Sequence, residues 1–213
     1  MSTGRARKFD PETEVELLCN ATLTVLRRND YDDVTIADIL EEAGLSTRSF
    51  YRHFQSKDEL LLTLHRRDAE AATARLRARV RRAATPPLAL EAWIDEILSF
   101  RFDRRKAERV ALLGAPGAKR ADGYAQEALR ASRMLSAPLD ELLEAGRRDG
   151  SFPAVEPRRD AEIIRAIVWD AAGLNTGGRG AVPRAAVRHD ILHFCLRALG
   201  AEAAPAAPAP SAK

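Results

Sequence analysis

Residues 35–54 read TIADILEEAGLSTRSFYRHF, and this stretch decides the fold. Thr35 followed by Asp38 is the capping pattern that begins a helix, and Gly44 predicts where that helix ends. Ser46 then predicts the cap of a second helix. Two short helices joined by a tight, glycine-containing turn form a helix-turn-helix, so we predict this motif here.

The second short helix has an apolar edge and a basic edge. At about 100° per residue, Phe50 and Phe54 lie near 0° and 40°, whereas Arg48 and Arg52 lie near 160° and 200°. Paired guanidinium groups facing away from a core suit the major groove of DNA, where arginine binds guanine with two hydrogen bonds. The alternative is an ordinary solvated helix face. Polar side chains on the flanks are Thr47, Ser49, Tyr51 and His53.

Helical patterns extend across the rest of the chain, which is rich in Ala, Leu, Arg and Glu. No period-2 run of β-branched residues predicts a strand. We therefore predict an all-α protein of about nine helices. Their approximate ranges are 10–28, 35–43, 46–54, 56–82, 86–102, 104–113, 123–147, 157–174 and 183–199.

Composition excludes several classes of protein. The 213 residues are 46% hydrophobic and 31% charged, with a net charge of +3, which does not fit a disordered chain. No apolar run of about 18 residues predicts a transmembrane helix, and the N-terminus lacks the apolar core of a secretory signal. Cys19 and Cys195 lie far apart, so we expect no disulfide framework and a cytoplasmic protein.

The motifs of residues 10–64 resemble those of the tetracycline-repressor (TetR) family of bacterial transcription regulators. The matching patterns are Thr35-Ile36-x-x-Ile39, Ala43-Gly44-Leu45-Ser46, Phe50-Tyr51-x-x-Phe54 and Ser56-Lys57-x-x-Leu60. The resemblance implies an N-terminal three-helix DNA-binding domain followed by a helical ligand-binding and dimerisation domain. We accordingly expect a DNA-binding domain with a basic N-terminal arm at 1–56, a regulatory domain at 57–200 and a disordered Ala/Pro tail at 201–213.

The resemblance also implies two kinds of DNA contact. Residues expected to cap helices or contact phosphates are Thr35, Ser46, Tyr51, His53 and Lys57. Residues expected to face the bases are Thr47, Arg48, Ser49 and Arg52. In the arm, Arg5, Arg7 and Lys8 are candidates for further phosphate or minor-groove contacts.

Charge in the expected DNA-binding domain is unevenly distributed. Residues 1–60 contain eight basic and twelve acidic residues, a net charge of −4. The segment 46–57 nevertheless carries Arg48, Arg52 and Lys57 and no acid. A basic face on an acidic domain predicts moderate DNA affinity with a strong dependence on salt.

Two apolar groups in the second half bear on ligand binding and assembly. For an effector of unknown identity, the resemblance implies a pocket that includes Trp93, Ile97, Phe100, Met134 and Trp169, although such residues also suit an ordinary core. The last two helices have broad apolar faces. The resemblance implies that they form a four-helix dimer interface through Ile164, Val168, Ile191, Cys195 and Leu199.

Metal and enzyme sites are not indicated. His189 and His193 share a helix face, but two histidines and a marginal Asp190 fall short of a metal site. Enzyme motifs and cofactor motifs are also missing, so we expect neither catalysis nor a cofactor.

The sequence thus predicts a ligand-released homodimeric repressor that binds a palindromic operator in double-stranded DNA, without a membrane partner. Two alternatives remain open. One is an activator or ligand-independent DNA-binding protein of the same fold. The other is an all-helical interaction module with a vestigial helix-turn-helix.

Overall fold

A computed structural model describes residues 9–173 and 182–201, in which all regular elements are helical. This confirms the predicted all-α class. The helices are α1 (Pro11–Leu26), α2 (Ile36–Ala43), α3 (Thr47–His53), α4 (Lys57–Arg82), α5 (Pro86–Phe102), α6 (Arg104–Leu113), α7 (Tyr124–Asp149), α8 (Pro157–Ala171) and α9 (Arg184–Ala198). A 3₁₀ turn at Ala118–Arg120 precedes α7. The arm residues Arg5, Arg7 and Lys8, and all of the expected tail beyond Ala201, lie outside the described residues.

The chain divides into two compact units. Unit 1 comprises Met1–Ala69 and Glu108–Ala131, and unit 2 comprises Glu70–Ala107 and Ser132–Lys213. Helices α4, α6 and α7 each contribute residues to both units. The domain limits at 56 and 200 stay predictions.

Local capping explains where the helices of unit 1 begin. The Asp10 carboxylate accepts hydrogen bonds from the backbone N–H groups of Glu12 and Thr13, which begins α1. Thr35 and Asp38 form the predicted capping box of α2. Ser46 accepts a hydrogen bond from the N–H of Ser49, which begins α3. Each cap satisfies a backbone donor that has no partner within the helix.

Apolar packing fixes the three N-terminal helices within unit 1. Phe50 is fully buried, and Phe54 packs beside it with a ring-centroid distance of 5.8 Å. The same core includes Leu18 of α1, Ile39 of α2 and Leu60 of α4, each with no exposed surface. This packing directs the opposite edge of α3 to solvent.

The core of unit 2 is built around Trp93. Its indole N–H donates to the carbonyl oxygen of Leu135 at 3.0 Å, which satisfies the only polar atom of a fully buried side chain. Trp169 stacks on it at a centroid distance of 5.7 Å.

Within the ranges that the structure describes, no helix combines the length and apolar character needed to cross a membrane.

Gly44 forms the turn between α2 and α3 with φ of 64°, in the left-handed region. The N–H of Leu45 donates to the carbonyl of Leu40 at 3.1 Å, which closes the end of α2. A Cβ atom at position 44 would meet no other atom within 4 Å, so a side chain there would strain the backbone without a clash.

Gly44→Ala is expected to lower the free energy of unfolding by about 1 kcal/mol, because alanine disfavours this backbone conformation. Gly44→Asn is expected to cost less, since asparagine tolerates it better. Chemical denaturation followed by circular dichroism measures both. An Ala variant as stable as the wild type would contradict the left-handed turn.

Candidate nucleic-acid interface

Helix α3 presents one flank that is free for an external partner. Thr47, Arg48 and Tyr51 are all exposed, and 58% of Tyr51 is accessible to solvent. The Tyr51 ring rests edge-on against Phe50 at 5.4 Å between centroids, which anchors its base and leaves the phenol outside. Arg48 has no ion pair within the described part of the chain. We call Thr47, Arg48 and Tyr51 the free flank of α3.

The other flank of α3 is bound to a buried carboxylate on α1. Glu14 is only 4% exposed. Its Oε2 accepts hydrogen bonds from His53 Nε2 at 2.7 Å and Arg52 Nη1 at 3.2 Å. Its Oε1 accepts from Ser49 Oγ at 3.4 Å. We call Ser49, Arg52 and His53 the anchored flank of α3.

Three residues predicted to contact DNA lie on the anchored flank, and these contacts stay predictions. Ser49 was expected to face bases, but it is buried and faces Glu14. His53 was expected to contact a phosphate, but its side chain is 11% exposed and bonded to the same carboxylate. Arg52 keeps about half of its side chain in solvent, 48%, while its guanidinium is paired with Glu14. A helical wheel gives the angle of each residue around α3, but it does not show that Glu14 of α1 contacts this flank.

Sequence reasoning missed Glu14 as a site residue. A signal was present, because Glu14 precedes Leu18 by four residues and Ala21 by seven, and both of these are buried. An acid in line with the inward stripe of a helix needs a buried partner. Glu14 also lies in the first turn of α1, where acids stabilise the N-terminus of a helix. Its position therefore indicated that role instead of a buried contact.

Thr35 and Asp38 form a polar pair at the beginning of α2. The N–H of Thr35 donates to Asp38 Oδ2 at 2.8 Å, and the N–H of Asp38 donates to Thr35 Oγ1 at 3.2 Å. The hydrogen bonds from Thr35, first from its side chain and then from its backbone, lower the pKa of Asp38. Thr35 is exposed, so its predicted phosphate contact remains sterically open.

Lys57 is bound within unit 1 instead of extending freely. Its ammonium donates to the carbonyl oxygens of Tyr31 and Val34, both at 2.7 Å, and lies 4.3 Å from the centre of the Tyr31 ring. The Tyr31 hydroxyl donates a short hydrogen bond to Asp58. Burial, and then this bond, raise the pKa of Tyr31. Lys57 therefore ties the α1–α2 loop to α4, and its predicted phosphate contact stays a prediction.

Several acids of unit 1 form ion pairs with arginine residues. Glu42 pairs with Arg28 at 3.1 Å, and Glu108 pairs with Arg27 at 2.7 Å. Asp32 pairs with Arg120. Of these three pairs, the one with Arg120 brings a base from outside residues 1–60 and so offsets part of their net charge of −4. Arg27 and Arg28 are already counted in that charge, and Arg27 is paired with an acid from outside the segment.

Residues predicted for an effector pocket lie in or against the core of unit 2. Trp93, Ile97 and Trp169 are buried, while Phe100 and Met134 are half-buried. A separate cleft of about 300 Å³ in unit 2 is lined by other side chains. These include Arg79, Arg82, Leu88, Glu91, Asp95 and Arg188. The assignment of the effector pocket stays a prediction.

The five residues predicted for a dimer interface are buried within the single chain, and their place in an interface stays a prediction. They are 8% exposed or less and belong to the core of the single chain, so they have almost no surface for a partner. These residues are Ile164, Val168, Ile191, Cys195 and Leu199. Burial also raises the pKa of Cys195 to about 12, which keeps it a thiol. The large apolar residues exposed on α8 and α9 are Ile163, at 44%, and Phe194, at 48%.

The described residues hold no cluster of three or more side chains suited to a metal ion. His189 and His193 stack with 6.1 Å between ring centroids on α9.

Comparison with known proteins identifies the N-terminal segment. Residues 18–64 match the family described as "Bacterial regulatory proteins, tetR family". No curated protein matches the sequence.

Solved structures extend the likeness over most of the chain. A putative TetR-family transcriptional regulator from Mesorhizobium loti MAFF303099 has a TM-score of 0.71 at 14% identity, covering 89% of this chain and 98% of that chain. FadR from Bacillus subtilis in complex with stearoyl-CoA has a TM-score of 0.65 at 16% identity, covering 86% and 98%. AibR in complex with isovaleryl coenzyme A and operator DNA has a TM-score of 0.60 at 14% identity, covering 85% and 97%. At these identities the likeness establishes a shared fold.

Lys57→Met is expected to lower the free energy of unfolding by about 1–3 kcal/mol, because two loop carbonyls lose a charged donor. Lys119→Met is the matched control, since Lys119 is exposed in the same unit; we expect it to change stability by less than about 0.5 kcal/mol. Denaturant titration measures both. Equal stability of the two variants would contradict the structural role of Lys57.

Proposed function

We propose that this chain is a homodimeric repressor of transcription, a proposal supported by the match of residues 18–64 to the tetR family of bacterial regulatory proteins. It binds a palindromic operator in the cytoplasm and releases it when a small molecule binds. The free flank of α3 carries this proposal, since Arg48 and Tyr51 stand exposed on a helix whose other side is fixed. Such a helix fits the major groove, where arginine reads base edges and tyrosine reaches phosphates.

A homodimer is suited to bind a palindromic operator. Two half-sites one helical turn apart need two copies of α3 related by two-fold symmetry. Ile163 on α8 and Phe194 on α9 are large apolar side chains left in solvent by the single chain. Apolar and aromatic side chains of this kind are enriched at the centres of protein interfaces. We assign them to the dimer surface.

Effector release is proposed to act by a population shift. The effector site lies in unit 2 at the predicted pocket residues, beside the stacked rings of Trp93 and Trp169. Ligand binding then favours a conformation with weaker operator affinity. Stearoyl-CoA and isovaleryl-CoA are the first compounds to screen, because two proteins of this fold bind them. A ligand that binds tightly without changing operator affinity would contradict this part of the proposal.

The main competing function is activation, or DNA binding without a ligand, by the same fold. A promoter reporter distinguishes repression from activation, because deletion of the gene raises expression only in the first case.

Selection of bound duplexes from a random pool is expected to enrich an inverted repeat. On the enriched duplex, Arg48→Ala is expected to cost about 1–3 kcal/mol of discrimination against altered bases, the value of one bidentate base contact. Arg81→Ala is the control, because Arg81 is exposed in unit 2. Fluorescence anisotropy at several salt concentrations gives both affinity and salt dependence. No enrichment at low salt would contradict sequence-specific binding and favour the vestigial motif.

Phe194→Asp is expected to convert a dimer into a monomer, because a charge would be buried at an apolar interface. Leu129→Asp is the control, since Leu129 is 53% exposed and lies in unit 1. Sedimentation velocity measures the assembly of both. A wild-type chain that stays monomeric at micromolar concentration would contradict the proposed homodimer.

A further inference from the structure

We propose that Glu14 is a positioning residue for base recognition, which holds the Arg52 guanidinium in the orientation that reads DNA. The inference rests on the proposed function, since it assumes that α3 enters the major groove. Glu14 lies on α1 and is 4% exposed, and it accepts hydrogen bonds from Ser49, Arg52 and His53. All three belong to one flank of the seven-residue helix α3.

Burial of this carboxylate would be costly without partners. An ionised acid removed from water must be paired and hydrogen-bonded, because its hydration is lost. An apolar residue at position 14 would fill the same space without that requirement. The acid instead couples α1 to three side chains of α3, so its presence constrains the orientation of the recognition helix and of Arg52.

Arg52 has the geometry to benefit from such support. Its bonds to Glu14 use Nη1 alone, at 3.2 and 3.4 Å, so the Nε–H and Nη2 donors stay available. About half of the side chain, 48%, is in solvent. Because a guanidinium is planar and its donors form a rigid fork, fixing one nitrogen restricts the direction of the others. A fixed fork loses less conformational entropy when it binds a base edge.

Positioning and simple charge repulsion predict different outcomes for the neutral variant Glu14→Gln. If Glu14 only adds negative charge near DNA, its neutralisation tightens binding to every duplex by a similar factor. If Glu14 positions Arg52, its neutralisation releases the guanidinium, so the preference for the correct bases falls. The ratio of affinities for the selected duplex and an altered duplex therefore separates the two roles.

Glu16→Gln is the matched control, because Glu16 is an exposed acid on the same helix. We expect Glu14→Gln to reduce the specific-to-altered affinity ratio by about tenfold, within the range of one base contact, and Glu16→Gln to leave it unchanged. Fluorescence anisotropy with the full chain measures all six affinities, those of the wild type and both variants for each duplex, and thermal melting checks that both variants are folded. A Glu14→Gln protein with the wild-type ratio overturns the inference.

A double-mutant cycle tests whether Glu14 acts through Arg52. In an Arg52→Ala background, Glu14→Gln is expected to cause no further loss of discrimination, because the residue that it positions is gone. Additive losses overturn the inference. If Glu14→Gln does not fold, Arg52→Lys provides the test, because lysine keeps the charge but lacks the planar fork. An Arg52→Lys protein with the wild-type affinity ratio also overturns the inference.

The two proposals fail in distinguishable ways. A wild-type chain that binds all duplexes equally overturns the proposed function and this inference with it. A wild-type chain that discriminates, together with a Glu14→Gln chain that discriminates equally well, overturns this inference alone.

Discussion

The recognition surface depends on how a helix of seven residues is held against its neighbours. A helix of this length is not stable in water by itself, because nucleation costs more than a few hydrogen bonds return. Phe50 and Phe54 hold one edge of α3 in the core of unit 1, and Glu14 holds a second edge from α1. These two contacts leave Thr47, Arg48, Tyr51 and the unbonded donors of Arg52 as the surface for DNA.

The charge around α3 matters more for DNA binding than the net charge of residues 1–60. Residues 1–60 carry more acids than bases, yet Asp32 is paired with Arg120, a base outside that segment, and Glu42 is paired with Arg28. The one acid that touches α3 within the described ranges is buried and bonded to basic or polar groups of the helix. An acidic DNA-binding domain is therefore compatible with a basic reading surface, and its binding should weaken steeply as salt rises.

Local features of the fold were predictable from the sequence, whereas long-range contacts were not. The caps at Thr35 and Ser46 and the turn at Gly44 depend on neighbouring residues, so the pattern of residues 35–54 predicted them, and residues 18–64 match the tetR family model. The contact between Glu14 and His53 joins residues 39 positions apart, and no local pattern encodes it. The same limit affected α8 and α9. Apolar stripes on these helices were recognised, but only their packing shows that Ile164 faces the core while Ile163 faces solvent.

A crystal structure of the chain bound to a duplex selected from a random pool would test the central claim most directly. We expect α3 in the major groove of each half-site, with Arg48 and Tyr51 in contact with DNA and Arg52 still bonded to Glu14. A duplex bound to a different surface, or an α3 directed away from the groove, would contradict it.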